Sequence, residues 1–269
     1  MKFIRGPLVW LYALLILVPV LVVVESSFKS LSDLYHNPLL PSKNLTIGPY
    51  STLLSQEPIS QYFLNSFEVT AISLVMVLIF GSMISYAILR LPKIPAFILY
   101  GIFSIGMMIP TQVNMIPVYL ELSHFNMVDT LYGLILVETA FLLPIAVFII
   151  GGFMRSLSKE LIEAATVDGA NEWHIFWKIA VPLSTPSIAS TAIFGGVILW
   201  NDLLFPLLLI KSNANQTLPL ALLSFTGQYQ TNYPVIFAGV LLASIPLVVL
   251  YVFLQKYFIA GMTAGAVKG

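Results

Sequence analysis

The sequence has no cysteine, so it can hold neither a disulfide nor a thiol nucleophile, and nothing follows about its redox compartment. It is also poor in charge. Twelve Lys and Arg with twelve Asp and Glu make up 9% of 269 residues, against roughly 25% in a soluble domain. A surface so sparsely charged cannot face water on all sides. The formal net charge of zero offers no basic footprint for nucleic acid. Internal repeats and low-complexity stretches are absent. So is the G-x-x-x-x-G-K-[ST] phosphate cradle, which excludes P-loop ATP chemistry from this polypeptide. Together these absences rule out an ordinary soluble enzyme, a disordered chain and a disulfide-stapled secreted domain.

Long apolar runs are abundant. Hydrophobic residues reach 58% and the mean hydropathy is +0.94. A helix needs about 20 mostly apolar residues to cross the hydrocarbon core of a bilayer. Six runs qualify, near 8–24, 63–89, 95–120, 131–153, 186–210 and 235–257. Ten-residue segments of alternating hydrophobicity are missing, which argues against a transmembrane barrel. The first run follows Lys2 and Arg5 as a signal peptide would. It ends Val22-Val23-Val24-Glu25, without small residues at a cleavage position. It therefore reads as an uncleaved first helix, with Pro19 a position for a kink. The expected fold class is an all-α membrane protein of six transmembrane helices.

Positive charge in short loops sets orientation. With the N-terminus inside, nine Lys and Arg fall inside (Lys2, Arg5, Arg90, Lys93, Arg155, Lys159, Lys178, Lys256 and Lys268) and three outside (Lys29, Lys43 and Lys211). An even number of spans then leaves both termini in the cytoplasm. Residues 1–62 form the first helix and an outside loop, 63–257 five further helices, and 258–269 a cytoplasmic tail. The 25–62 loop is polar, but its Leu39, Leu40 and Ile47 are suited to packing on something. The 211–234 loop carries Asn213, Asn215, Gln216, Gln228, Gln230 and Asn232. These side chains suit a docking protein or a hydroxylated solute, and equally a plain solvated loop.

The inside connection at 154–182 is long, and long ordered loops are often functional. Ser158 can cap a helix start, with Glu160 in its favourable first turn. Residues 161–167 read as a short helix, which Asp168-Gly169 ends because Gly accepts the left-handed conformation. Asn171 can cap a second short helix bearing Trp173, Phe176 and Trp177. The product is a helix–turn–helix elbow with small residues and the Glu163 carboxylate on one side and aromatics on the other. Ala164 and Ala165 would let another protein approach closely, Glu163 would meet a basic group or a backbone donor there, and the aromatics would anchor the elbow. A helix lying on the bilayer surface is the plainer reading.

Glu163-Ala164-Ala165, three residues, Gly169, nine residues, then Ile179 and Pro182 resemble the loop signature of bacterial ABC importer permeases. Val181 replaces the usual Leu. The likeness continues through Asn65-Ser66, Ile109-Pro110 with Gln112, Pro117-Val118-Tyr119, Gly133-Leu134-Ile135-Leu136, Leu143-Pro144 and Trp200-Asn201-Asp202 with Phe205-Pro206. The tail from Gln255 to Gly269 resembles the carbohydrate branch, in particular the six-span subunit of maltose-type systems. This resemblance implies a pore shared with a second homologous permease subunit. It further implies two ATP-binding subunits that hold ATP and Mg, an extracytoplasmic solute-binding protein, and residence in the bacterial cytoplasmic membrane. The elbow, with Glu163, Ala164, Ala165, Asp168 and Gly169, would be the coupling helix seated in an ATP-binding subunit, and the chain itself would be no enzyme. A permease of the same superfamily for glycerol-phosphate or polyamine is an alternative. An ion-coupled secondary transporter is a more distant one, since such proteins often carry internal repeats.

Carboxylates inside spans are expensive, at about 2.5–3.5 kcal/mol for Asp at a helix centre on insertion scales. Three occur here: Glu68, Glu138 and Asp202. Glu68 lies near an outside end and can reach interfacial water. Asp202, in the Trp-Asn-Asp run, suits packing and hydrogen bonding better than solute contact. Glu138 departs from the uncharged residue usual in the resembled family. It would accept hydrogen bonds from a sugar in the pore, or pair with the sister subunit. Gln112 and Asn114, beside the helix break at Pro110, join Asn201 as polar candidates for the solute pathway, or as interhelical hydrogen-bonding groups. His36, His124 and His174 are too scattered to suggest a metal site.

Overall fold

A computed structural model describes residues 2–226 and 231–266. Gln228, Gln230 and Lys268 lie outside the described residues. Helices occur in the order α1 (Lys2–Ser26), α2 (Leu31–His36), α3 (Gly48–Gln56), α4 (Ile59–Arg90), α5 (Lys93–Met108), α6 (Met115–His124) and α7 (Leu131–Met154). They continue as α8 (Lys159–Val167), α9 (Glu172–Ile175), α10 (Val181–Leu183), α11 (Thr185–Trp200), α12 (Leu204–Leu209), α13 (Leu218–Leu222) and α14 (Tyr233–Ala266). Among the described residues there is no β-strand, only an isolated bridge between Thr226 and Thr231.

Among the described residues, four helices are long and apolar enough to cross a bilayer alone: Val9–Ser26, Ile59–Arg90, Leu131–Met154 and Tyr233–Phe253. The expected third span is broken. α5 and the stretch from Thr111 to His124 meet at 93°. The break itself is local in origin, because Pro110 has no N–H to give and pushes Ile109 into extended backbone. The expected fifth span also stops short. α11 ends at Trp200, and α12 starts only at Leu204, after Asn201–Leu203 leave the helix. A 71° turn separates Glu172–Leu183 from α11. Counting each bent pair as one span gives up to six. α1 runs unbroken past Pro19.

The chain divides into two units, Met1–Phe63 with Leu218–Pro246 and Leu64–Thr217 with Leu247–Gly269. In the first, α1 turns its side chains outward, with Trp10, Leu15 and Leu21 exposed. Such apolar exposure suits lipid or a partner rather than water. Beyond α1, Lys29 is fully buried. Its ammonium donates to the Asn37 and Leu40 carbonyls at 3.0 and 2.8 Å and pairs with Glu25 at 3.3 Å. This latch orders the following segment, which also folds into α2 and α3. Leu39, Leu40 and Ile47 nevertheless stay exposed, so within this chain they do not pack as the sequence led us to expect.

In the second unit α7 is the central helix, touched by α5, α11 and α12. Small residues bring it close to α4, where a Cβ on Gly81 would stand 2.9 Å from the Ala146 Cβ. The Ser73 and Ser85 hydroxyls donate across to the Ile135 and Val147 carbonyls at 3.3 and 3.4 Å. A single apolar core joins Val77 and Tyr86 of α4, Ala146 and Ile150 of α7, and Ile162, Ile175 and Phe176 of the elbow.

Candidate functional site

The elbow spans α8, the turn at 168–171 and α9. Ser158 has the extended backbone of a cap, but its hydroxyl donates to the Glu160 carboxylate instead of accepting a backbone N–H. That donation holds the Glu160 carboxyl below its ordinary value. The other end follows the expected chemistry. Gly169 takes φ +82°, its N–H reaches the Thr166 carbonyl at 3.1 Å, and the Ala170 N–H reaches Ala165 at 3.0 Å. These are the paired bonds of a Schellman motif. Asn171 then caps α9 by accepting from the His174 N–H at 2.8 Å.

The two faces of α8 differ by helical geometry. Ile162 is buried, and Ala165 packs on the same core. Glu163, Ala164 and Val167, three and four apart, are exposed on the outer face. Ala164 is therefore open to a partner, while Ala165 mainly serves the fold. Asp168 and Gly169 are exposed at the tip and border a recess of about 490 Å³ with Asn171 and His174. A Cβ on Gly169 would meet nothing within 4 Å. Of the aromatics, Phe176 is the anchor, being 3% exposed and 5.4 Å from the Tyr86 ring. Trp173 and Trp177 stack edge-on at 5.7 Å but remain exposed.

An ion pair that sequence reading missed holds the elbow to α4. The Glu172 carboxylate accepts from Arg90 Nε at 3.0 Å, from a terminal Arg90 nitrogen and from the Tyr86 hydroxyl at 2.6 Å. Arg90 comes first among the groups that hold Glu172 below the usual carboxylate range, with Tyr86 next. Arg90 also borders a 150 Å³ recess together with Glu163.

The polar candidates within the spans do not gather into one cluster. Gln112 is exposed and Asn114 half-buried, both on the single turn Thr111–Asn114 between α5 and α6. Asn201 is exposed and donates back to the Val197 carbonyl at 2.8 Å. Glu68 is exposed. Asp202 accepts from the Leu204 and Phe205 N–H groups at 3.3 and 3.1 Å and so starts α12, the hydrogen-bonding role expected of it. Glu138 is 3% exposed, and its Oε2 is buried with no hydrogen-bond partner among the described residues. It borders a cavity of about 160 Å³ with Thr111, Phe141, Asp202 and Phe205. Neither Gln112 nor Asn114 lines that cavity.

Polar groups of the 211–217 segment bond within the chain. Asn215 donates to the Asp129 carbonyl at 2.6 Å, and Gln216 to Asn213 at 3.2 Å. Asn65 donates to the Ala214 and Gln216 carbonyls, both at 2.8 Å. These bonds order the segment from within.

Apolar spans with a polar elbow fused to their core define a multi-span helical membrane protein. The chain belongs to the family of binding-protein-dependent transport system inner membrane components, whose model matches residues 78–264. It is 34% identical to the arabinooligosaccharides transport system permease protein of Halalkalibacterium halodurans, over 93% of this chain and 91% of that one. The melibiose/raffinose/stachyose import permease protein of Bacillus subtilis is also 34% identical, over 94% of this chain and 91% of its own. The fold matches a chain of the bacterial ABC transporter that imports the acidic polysaccharide alginate, with a TM-score of 0.81 over 96% of each chain at 22% identity.

Proposed function

We propose that this chain forms half of the pore of an ATP-driven importer for a sugar or oligosaccharide. A second homologous permease subunit supplies the other half. Two separate ATP-binding subunits hold ATP and Mg, and an extracytoplasmic binding protein delivers the solute. Six spans cross the cytoplasmic membrane, α5 with α6 counting as one and α11 with α12 as another, and both termini and the elbow lie in the cytoplasm. The sugar assignment rests on the oligosaccharide relatives and the carbohydrate-type tail. The nine-to-three distribution of Lys and Arg supports the orientation.

One observation carries the coupling role: Ile162, Ile175 and Phe176 of the elbow share one buried core with α4 and α7. A push on the elbow therefore reaches the spans. Glu163, Ala164, Asp168 and Gly169 form the face offered to the ATP-binding subunit, and Ala165 backs it from the core. ATP-driven closure moves the elbow, the spans rock to open the pore towards the binding protein, and hydrolysis returns them. Each state needs its own stabilising contact, the binding protein on one side and nucleotide on the other. Gln112, Asn114, Glu138 and Asn201 are the polar groups assigned to the solute pathway.

Two substitutions test the coupling face. Glu163→Lys reverses the charge offered to the partner. Gly169→Trp fills space that is open within this chain and puts a side chain on left-handed backbone. Both should abolish uptake into proteoliposomes while the subunits still co-purify. Wild-type uptake with normal stimulation of ATPase by the binding protein in Glu163→Lys would defeat this reading.

A further inference from the structure

The cavity beside Glu138 holds chemistry that the fold does not use. Glu138 Oε2 is a buried acceptor without a donor. Asp202, on the same cavity, already spends its oxygens on the backbone N–H groups that start α12. Fold stability gives no reason for the Glu138 carboxyl, because an unsatisfied polar group is penalised in a span. Thr111 adds a hydroxyl at the rim. Phe141 and Phe205 stand 4.7 Å apart between centroids, tilted by 52°, and line the same space. At about 160 Å³ it exceeds by far the roughly 10–15 Å³ that one water needs. It is smaller than the roughly 300 Å³ at which pockets for whole ligands begin. It therefore takes one part of a larger solute.

We propose that this cavity is a subsite for one ring of a neutral sugar, with Glu138 accepting hydrogen bonds from ring hydroxyls and Phe141 and Phe205 facing the ring's C–H surface. The inference rests on the sugar reading above and adds that this subunit itself reads the solute. A hydroxylated ring brings both donors and an apolar face, which is what the lining lacks and offers. Asp202 acts as a positioning residue, fixing α12 and hence Phe205.

The complete transporter with its binding protein, in proteoliposomes, is given maltotriose, raffinose and arabinotriose. The sugar taken up is then compared with its monodeoxy analogues in the wild type and in Glu138→Leu. In the wild type, one analogue should fall about ten-fold in kcat/KM for uptake, the loss of one hydrogen bond. Glu138→Leu should lower uptake of the parent sugar by a similar factor and bring the parent-to-analogue ratio close to one, since the two changes remove the same bond. Phe141→Leu should raise KM several-fold and keep that ratio near ten. It guards the test if Glu138→Leu fails to assemble. If a sugar is taken up, an unaltered ratio in Glu138→Leu, or an unaltered KM in Phe141→Leu, overturns this inference alone. Uptake of none of the sugars removes the sugar reading and this inference with it. Uptake of spermidine instead, lost in Glu138→Gln, reassigns the cavity to a cation.

Discussion

Replacing Glu172 with Gln keeps the Asn171 cap of α9 and removes the charge that ties the elbow to α4. The native carboxylate takes the Tyr86 hydroxyl at 2.6 Å and Arg90 through two nitrogens. The Arg90 and Glu172 side chains are 33% and 59% exposed. Solvent screens such a pair, which places it in the ~0.2–1 kcal/mol range of surface ion pairs. The Tyr86 bond adds about 1 kcal/mol after the same discount. The total, about 1–2 kcal/mol, corresponds to a ~5–30-fold rise in the population of undocked elbows. Amide hydrogen exchange, read by mass spectrometry on the assembled transporter, should accelerate by that factor across 159–176 at pH 7 and stay unchanged in α7. Arg90 first, and Tyr86 second, hold the Glu172 carboxyl below its ordinary value. A depressed native value gives a contribution that is complete above the ordinary carboxylate pKa, about 4.3, and fades as pH falls through the lower native value. The two proteins should therefore converge in acid and differ fully above about pH 5. Elbow exchange within two-fold of wild type at pH 7 would refute the reasoning.

Two further outcomes test the packing around α7 and the ordering of the 211–217 segment. Gly81→Leu drives a side chain into Ala146, so it should destabilise the α4–α7 contact by about 1–3 kcal/mol. Thermal unfolding of the solubilised complex should show a lower midpoint, whereas Gly101→Ala, with nothing within 4 Å of its new Cβ, should not. Asp129→Ala removes the acceptor for the Lys211 and Ser212 N–H groups and the Ser212 hydroxyl, each at 2.9 Å. Limited proteolysis at 211–217 should quicken several-fold. The Ser212 N–H is the main group holding the Asp129 carboxyl low, so the wild-type segment should loosen the same way only as pH falls below the ordinary Asp value, about 3.9.

Local chemistry explains which features could be read from the chain alone. Apolar runs located the long helices, because hydrocarbon thickness fixes their length. Asp168-Gly169 and Asn171 located the elbow's turn, because left-handed backbone and capping are properties of single residues. Pro110 marked a break, though not its 93° bend, which depends on what α5 and α6 pack against. The interruption at Asn201–Leu203 was hidden, since the surrounding residues are uniformly apolar. Arg90 and Glu172 lie 82 positions apart, and each alone looks like an ordinary surface charge. From the sequence Lys29 is only an outside positive charge, yet it is buried, with two carbonyls and Glu25 around it. Glu138 stood out as an unusual charge, but its cavity is assembled from Thr111, Phe141, Asp202 and Phe205, which no spacing rule connects.

The seam between Gly81 and Ala146 bears on where motion can occur. Where the two backbones come this close, little side chain is left to re-interleave, so α4 and α7 should shift together, and the elbow that shares their core with them. Flexing is left to the stretches that have already given up helical bonds, around Pro110 and at Asn201–Leu203. A clamp placed there, such as a chemical cross-link across either break, should block uptake.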